Sequence, residues 1–437
     1  MDKELKNRAY DFLIIGGGPA GTGLLLKAME DGASSKLFEN RIAVIERTNN
    51  LIKGNITQFN INSDTLSDVF LECLQGNNTF TDLAELKNEV DLIKTYKGKS
   101  IPLVMLDSYY TKLGILLKQS LESSGKCDFI LNSNVMKAIQ KRDNTYDVFI
   151  EGRSNPITAK KVLVATGGVP QTTIDRNSLF AKAVPLHAHQ KKCIHSDTFL
   201  KNGLPDHFKE ALLKNPKIVI LGGSHSAFSA AHSFLHSFNL PGFAIDTIKI
   251  WSHSSPKIYF NTKEEARDNS YFDYTDADIC PVTKRLYRLA GLRMDGRQLY
   301  MQMLGLGKLK KEDRVKLIVY KNQKSELEED LDNAAVIVLA FGYRFNLFPF
   351  YNTYGKQIKF KGELNQHWVN ERCELLDENG IVVPNAFASG LATGFIPKGK
   401  LGGEPSFEGQ TNGIWYYQNA IADLIINNIS EHTPNLS

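Results

Sequence analysis

Paired cysteine chemistry is the first thing this sequence lacks. Its five cysteines, Cys73, Cys127, Cys193, Cys280 and Cys373, are widely scattered, and no CxxC or CxxxxC pair occurs. An odd, dispersed set fits reduced thiols in a cytoplasmic protein and removes a redox-active dithiol from consideration. Long apolar runs are also missing. Nothing approaches the roughly 18 uninterrupted apolar residues that a membrane-spanning helix needs. A charged start, MDKELKNRAYD, leads straight into an apolar segment, so no secretory signal is expected. Charge of one sign is scarce as well. The net charge is +4 over 437 residues, and the densest basic stretch, KLKKED, reads as a solvated surface, so nucleic acid is not an expected partner.

What remains is a composition of 42% hydrophobic and 23% charged residues, that of a globular chain long enough for two or three domains. The most informative stretch is DFLIIGGGPAGTG, Asp11 to Gly23. A short apolar strand, Phe12 to Ile15, runs into Gly16, Gly18 and Gly21, and a helix is expected from Pro19 to Met29. This is the G-x-G-x-x-G turn in its proper context. The first glycine permits the tight turn and the second lets backbone approach a diphosphate; the third lets helix pack on strand. A second strand, RIAVIE, ends at Glu46, which is placed to accept hydrogen bonds from ribose hydroxyls. Pro19, Ala20 and Arg47 join the expected nucleotide-binding set.

Further along, Asn49 to Asn78 is an Asn/Ser/Thr-rich excursion with a helix expected at Ser67 to Leu74. Leu113, Leu116, Leu117 and Leu121 mark a helix over Ser108 to Ser124. DFILNSNVMKAIQKRD and TYDVFIEG alternate like a pair of strands, and KKVLVATGG closes on Thr166 and Gly167. Gly168 to Leu186 reads as a linker. A second strand–glycine–helix unit occupies Lys217 to Phe238, its next strand being Ala244 to Trp251. A polar, aromatic segment then runs from Ser252 to Met303. Ala334 to Tyr343 is another apolar strand ending on glycine. The tail carries a strand near Ala386 to Ser389 and a last helix over Thr411 to Asn428.

The fold expected is therefore α/β, with two Rossmann-like three-layer domains and the first one discontinuous. Residues 1–170 and 344–437 form the split domain. Residues 184–343 form the second, with an insertion at 252–303.

In the second turn Gly222 holds the first position, Ser224 replaces the middle glycine, and Ala227 takes the third. Ser224 and Ser226 add hydroxyls able to bond phosphate. The same residues come one short of the G-x-S-x-G elbow of a hydrolase, Ser226 standing where the last glycine belongs. Downstream of the strand ending at Trp251 no Asp or Glu appears where a ribose 2′-hydroxyl would be gripped. His253, Ser254, Ser255 and Lys257 occur instead, which suits a 2′-phosphate and favours NADPH over NADH; the plain alternative is that Lys257 faces solvent. His187, His189, Cys193 and His195 match no usual zinc spacing, so no metal is expected.

Taken in order, Gly16-Gly17-Gly18-Pro19-Ala20-Gly21, Ala165-Thr166-Gly167-Gly168, Gly222-x-Ser224-x-Ser226-Ala227 and Leu339-Ala340-Phe341-Gly342-Tyr343 resemble the two-dinucleotide-domain flavoproteins. Within these the chain is most similar to the class B, single-component flavin monooxygenases, including the ornithine and lysine N-hydroxylases. Cys193 to Phe199 is similar to their His-Ser segment between the domains, and Leu339 to Tyr343 looks like their A-T-G-Y stretch. Ala388-Ser389-Gly390-Leu391 stands where a Gly-Asp near the flavin ribitol is usual. Tyr259 to Met303 has no counterpart that can be aligned.

The resemblance implies FAD at Gly16, Gly18, Gly21 and Glu46, with Val135 backbone near the adenine and Gly390 close by. The flavin ring would lie beside Gln58 to Ser63 (Gln58, Asn60, Asn62, Ser63 as contacts), although an ordinary polar loop is the competing reading. The ring's pyrimidine edge would meet Gln410 and Thr411 at the start of the last helix. It further implies NADPH in the second domain, O2 and a small-molecule nucleophile as substrates, amine N-hydroxylation favoured, and oxygen transfer from an adduct of the reduced flavin. A flavin reductase or oxidase without an oxygenated substrate, a non-catalytic NADPH-sensing protein and the hydrolase remain alternatives. A homo-oligomer is compatible with the sequence.

Overall fold

Runs of Ile, Val and Leu bounded by glycine become two mainly parallel sheets in the computed structural model, which describes residues 9–32, 35–76, 80, 82–171, 186–238 and 243–430. Strands β1 (Tyr10–Ile15), β2 (Ile42–Ile45), β3 (Cys127–Ile130), β4 (Val135–Gln140), β5 (Tyr146–Ile150) and β6 (Ile157–Val164) build the first sheet. The chain then passes through β7 (Gly168–Pro170), β8 (Cys193–His195), β9 (Ile218–Leu221), β10 (Ile248–Ser252), β11 (Lys257–Ile258), β12 (Gly291–Leu292), β13 (Val315–Val319) and β14 (Val336–Leu339). It returns by β15 (Tyr343–Phe345), β16 (Phe350–Tyr351), β17 (Glu374–Leu376) and β18 (Val382–Ala388).

The first sheet has nine strands, its main path running β16-β4-β5-β6-β1-β2-β3. Strand β6 forks. Its N-terminal half pairs antiparallel with β5 (Val148 opposite Ile157), while its C-terminal half pairs parallel with β18 (Val164 opposite Ala388). Thus strands from before 170 and after 350 share one sheet, as a discontinuous domain requires. The second sheet is wholly parallel in the order β13-β10-β9-β14-β8, all within 193–339.

Alternation along the second sheet's strands sends Ile218, Ile220, Ile248, Ile250, Val336 and Val338 into one core, and Val219, Leu221, Trp251, Ile337 and Leu339 into another. Both faces of a parallel sheet are buried, which is why these strands read as unbroken apolar runs. The two crossings between the sheets pair with each other: β7 and β15 form an antiparallel ribbon, Arg344 opposite Val169.

Several expectations need correction. DFILNSNVMKAIQKRD is two strands, not one: β3 extends the parallel sheet, and Asn132 turns the chain at φ +50° into β4, which pairs with β5. The helix expected over Ser67–Leu74 is present and is of the 3-10 type. The strand expected from Ala244 begins at Ile248. The last helix does not start at Thr411. It runs over Ile414–Gln418, breaks at Asn419 (φ −123°, ψ −94°) and resumes over Ala420–Ser430. Of the linker expected over Gly168 to Leu186, Gly168–Pro170 is strand β7, and 172–185 lie outside the described residues, as do Asn77 and Asn78 of the polar excursion.

Candidate active site

The two glycine turns are built alike. Gly16 N donates to Ile45 O at 2.8 Å, and Ala165 N to Ile15 O at 2.7 Å; in the second sheet Gly222 N donates to Trp251 O and Ala340 N to Leu221 O, both at 2.8 Å. Gly16 has φ +109° and Gly222 φ +131°, and a Cβ on either would lie 2.3 Å from the carbonyl oxygen of Ala165 or Ala340. Only glycine fits both positions, by backbone conformation and by space. At the third position Gly21 allows the helix Pro19–Asp31 to lie against Gly16 O, whereas Ala227 is accommodated in the fully buried core of the second turn. Ser224 caps the helix His225–His236 with an extended φ of −105°, matching Gly18 at −75°. That unstrained backbone is unlike a nucleophile elbow, so the geometry gives the hydrolase reading no support.

Register also aligns Glu46 with Ser252, each following the residue that accepts from the first glycine. Glu46 Oε2 accepts from Gly17 N at 2.7 Å, and Oε1 accepts from Thr48 N at 2.9 Å. Ser252 Oγ instead donates to Ser254 O at 2.7 Å. The second domain therefore has a hydroxyl where the first has a carboxylate.

From the Gly16 turn a cavity of about 780 Å³ runs beneath the β7–β15 ribbon to the start of the helix at His225. It brings together Gly16, Gly18, Pro19, Ala20, Glu46, Arg47, Gln58, Val135, Thr166, Gly167, Ser226 and Gly390 from the expected set. A Cβ on Gly18 would meet nothing closer than Gly54 Cα at 3.8 Å, so backbone there is open to a diphosphate. Gly390 (φ +118°) faces Ala20 across the turn, a Cβ there lying 3.1 Å from Ala20 Cβ.

Other expected residues are placed elsewhere. Gly21 and Ala227 serve packing, and neither Gly222 nor Ser224 lines the cavity. Asn60 is a clip between domains: its N donates to Leu200 O at 2.8 Å and its Nδ2 to Lys201 O at 2.6 Å. Asn62 Nδ2 donates to Asp295 Oδ2 at 2.9 Å, and the buried Ser63 Oγ donates to Thr65 O. His253 is exposed after β10, and Lys257 Nζ lies 3.3 Å from Asp273 Oδ2. Gln410 Nε2 donates to Gln366 Oε1 at 2.9 Å; Thr411 Oγ1 is buried without a partner, as is Ser389 Oγ beside Gly390. Around the histidine-rich segment, Cys193 Sγ donates to His189 O at 3.3 Å, and among the described residues no group of three potential ligands could hold a metal.

The cavity wall is held by residues that periodicity and motif could not single out. Asp107 Oδ1 accepts from Thr57 Oγ1 at 2.6 Å and from Lys53 Nζ at 3.0 Å, pinning the loop that carries Gln58. Those two contacts, Thr57's hydrogen bond first, hold the Asp107 carboxyl below its ordinary range. Tyr343 Oη donates to Asp197 Oδ1 at 2.8 Å, and Asp197 also pairs with Lys201 at 3.0 Å. Burial, then the Asp197 bond, pushes the Tyr343 phenol up, so it stays protonated as a donor. Thr166 Oγ1 donates to Asn346 O, tying the end of β6 to the returning chain. Asp64 and His225 complete the far end.

Two glycine turns on two mainly parallel sheets, with one cavity reaching from the first turn to the helix that follows the second, fit an oxidoreductase with paired dinucleotide domains. The chain belongs to the pyridine nucleotide-disulphide oxidoreductase family, whose model matches residues 10–374. It is 24% identical over 436 residues to the CMP-5′-(3-aminopropyl)phosphonate hydroxylase of Streptomyces rubellomurinus, covering 95% of this chain and 96% of that protein. Among solved structures it is similar to the FAD-bound cadaverine monooxygenase of the desferrioxamine pathway of Erwinia amylovora (TM-score 0.56, 15% identity, 98% and 95% of the two chains). It is also similar to an ornithine hydroxylase of Pseudomonas aeruginosa (TM-score 0.50, 12% identity, 97% and 100%). The two-domain fold expected from the motifs is thereby borne out. No helix among the described residues is long and apolar enough to cross a membrane.

Proposed function

We propose that this protein is an FAD- and NADPH-dependent monooxygenase that hydroxylates the nitrogen of a small-molecule amine. The single cavity running from the Gly16 turn to His225 and Ser226 carries the reading, because it gives two nucleotides a common space. The first nucleotide part would comprise 1–170 and 344–437, and the second 184–343 with its insertion at 252–303. The family name notwithstanding, the scattered cysteines leave no dithiol to relay electrons. The relative from Streptomyces, named for hydroxylating an aminopropyl phosphonate, supports an amine as substrate.

FAD, when bound, supplies electron transfer from the nicotinamide and the activation of dioxygen. The chain's own residues do the rest. Gly16 and Gly18 admit the diphosphate and Glu46 accepts from the ribose; Val135 and Arg47 border the adenine end. Gln58, on the loop pinned by Asp107, lines the cavity where the ring would lie, and the unpartnered hydroxyls of Ser389 and Thr411, with Gln410, would serve its polar edge. In the second domain the turn at Gly222 and Ser224 would approach the other diphosphate, with Ser226 the member of that turn that lines the cavity. Ser252 leaves no carboxylate to repel a 2′-phosphate, which His253 would meet, joined by Lys257 on release from its ion pair with Asp273. The Asn60 clip and the Tyr343–Asp197–Lys201 chain keep the two parts closed over the cavity and exclude water.

The test is the visible spectrum of the purified protein, followed through NADPH and then air, with hydroxylamine and hydrogen peroxide assayed. A flavin spectrum bleached by NADPH, with hydroxylamine formed from an amine, is the expected result. Peroxide equal to the NADPH consumed, with no oxygenated product from any amine, would make the protein an oxidase instead.

A further inference from the structure

At the far end of the cavity two titratable side chains face each other without hydrogen-bond partners. Asp64 Oδ2 and His225 Nε2 stand 4.0 Å apart, one on the loop after Gln58 and the other in the first turn of the helix after Ser224. The His225 Nε2 atom is buried and unpartnered. Asp64 retains 46% side-chain exposure through the cavity while protein surrounds it, and burial raises its carboxyl above the ordinary range. The groups that act on it are His225 and Arg293, which favour the carboxylate, and Asp295, which opposes it. Asp295 in turn has His232 Nδ1 at 3.9 Å, with the His236 ring 4.3 Å beyond that of His232. Of the other charged residues lining the cavity, Lys53 pairs with Asp107 and Lys201 with Asp197, and Glu46 accepts from Gly17 and Thr48. Arg47 is the remaining cation, at the opposite, nucleotide end.

We propose that Asp64 binds the substrate's ammonium group and that His225 takes the proton the nitrogen must lose before its lone pair can attack. This rests on the monooxygenase reading above. A cavity-lining carboxylate that no hydrogen-bond donor meets leaves its charge free to pair with a bound cation, and such a charge-assisted contact is strong in an enclosed site. An imidazole with a free nitrogen is the side chain best suited to accept a proton near neutral pH. The stoichiometry closes: R–NH3+, NADPH and O2 give R–NHOH, NADP+ and H2O. Two N–H bonds break, one proton passing to His225 before attack and the second leaving once the N–O bond has formed. The O–O bond breaks, NADPH supplies two electrons with its hydride, and the two hydrogens not kept by the hydroxylamine leave with the second oxygen as water. The substrate class assigned is therefore a primary amine that enters as its cation.

The experiment uses the FAD-loaded enzyme and three probes, cadaverine, L-lysine and 3-aminopropylphosphonate. Binding is followed by calorimetry, and hydroxylamine is compared with NADPH consumed. In D64N, affinity for the productive probe should fall about 30-fold, as for loss of one partner of an enclosed charge pair. D64E should recover part of it. H225N should bind the probe normally but convert less of it per NADPH, the difference appearing as hydrogen peroxide. FAD content and thermal melts identify a variant that fails to fold, in which case D64E decides. Wild-type binding and coupling in both D64N and H225N would overturn the inference while leaving the monooxygenase intact. Oxidation of NADPH without hydroxylation of any probe would overturn both this inference and the amine reading.

Discussion

Replacing Gly21 by alanine tests whether the first turn is a nucleotide cradle held by close packing. A Cβ at Gly21 would stand 2.0 Å from Gly16 O, 3.1 Å from Ile14 Cγ2 and 3.2 Å from Ala165 Cβ. An ordinary carbon–oxygen contact is about 3.3 Å, so the helix Pro19–Asp31 must lift by more than about 1 Å. It cannot lift freely. Two residues on, Gly23 is held equally close, a Cβ there lying 2.5 Å from Tyr417 O. Overpacking of this kind costs about 1–3 kcal/mol, and a displaced turn forfeits FAD as well, worth about 2.7 kcal/mol at a hundredfold excess over its dissociation constant. The assays are the flavin-to-protein absorbance ratio and the melting temperature with and without added FAD. G21A should lose most of its flavin and melt several degrees lower, and added FAD should no longer raise the melting point. Full flavin content with an unchanged melt would refute the packing argument. The internal control is Ala227, which holds a methyl at the same position of the second turn; A227G should cost about 1 kcal/mol, the ordinary price of glycine in a helix.

Three further outcomes follow from the geometry. S252D puts a carboxylate at the position aligned with Glu46, so reduction by NADPH should slow at least about tenfold relative to NADH, read by stopped-flow of the flavin band; an unchanged ratio would show that Ser252 does not face the 2′ position. A Cβ on Gly223 would meet Ser252 Oγ at 1.8 Å, so G223A should be destabilised and the added change S252A should recover much of the loss, measured by thermal melts. Asp107 has its carboxyl held low, so its anchoring of Lys53 and Thr57 is full above the ordinary carboxylate range, near pH 4, and disappears as pH falls through its folded-state value. D107N should therefore speed amide exchange in residues 53–58 at neutral pH and differ little from wild type in acid.

The sequence was most informative where structure depends on neighbouring residues. Gly16, Gly21 and Gly222 could be read because a turn between an apolar strand and a helix needs glycine for local reasons, and the register of β1, β2 and β6 confirms why. Leu113, Leu116, Leu117 and Leu121 marked their helix by the same local logic, one buried face repeating at helical spacing. Where a partner far along the chain decides, the reading failed. β3 and β4 could not be separated, since only pairing with β2 and β5 gives the two halves of DFILNSNVMKAIQKRD different directions. The tail helix breaks at Asn419, and the segment before that break packs at Tyr417 against Gly23, almost four hundred residues away.

The candidate site divides the same way. Composition and spacing determined on their own that this chain would build two glycine turns on apolar strands, because those demands are met within a few residues. Tertiary structure alone decided that Asn60 and Asn62 would tie the two parts together and Ser63 would turn inward to Thr65 rather than face the cavity, and that Asp64 and His225 would meet inside it. Polar side chains carry no periodic signal, and their partners are chosen by how two sheets come together in space.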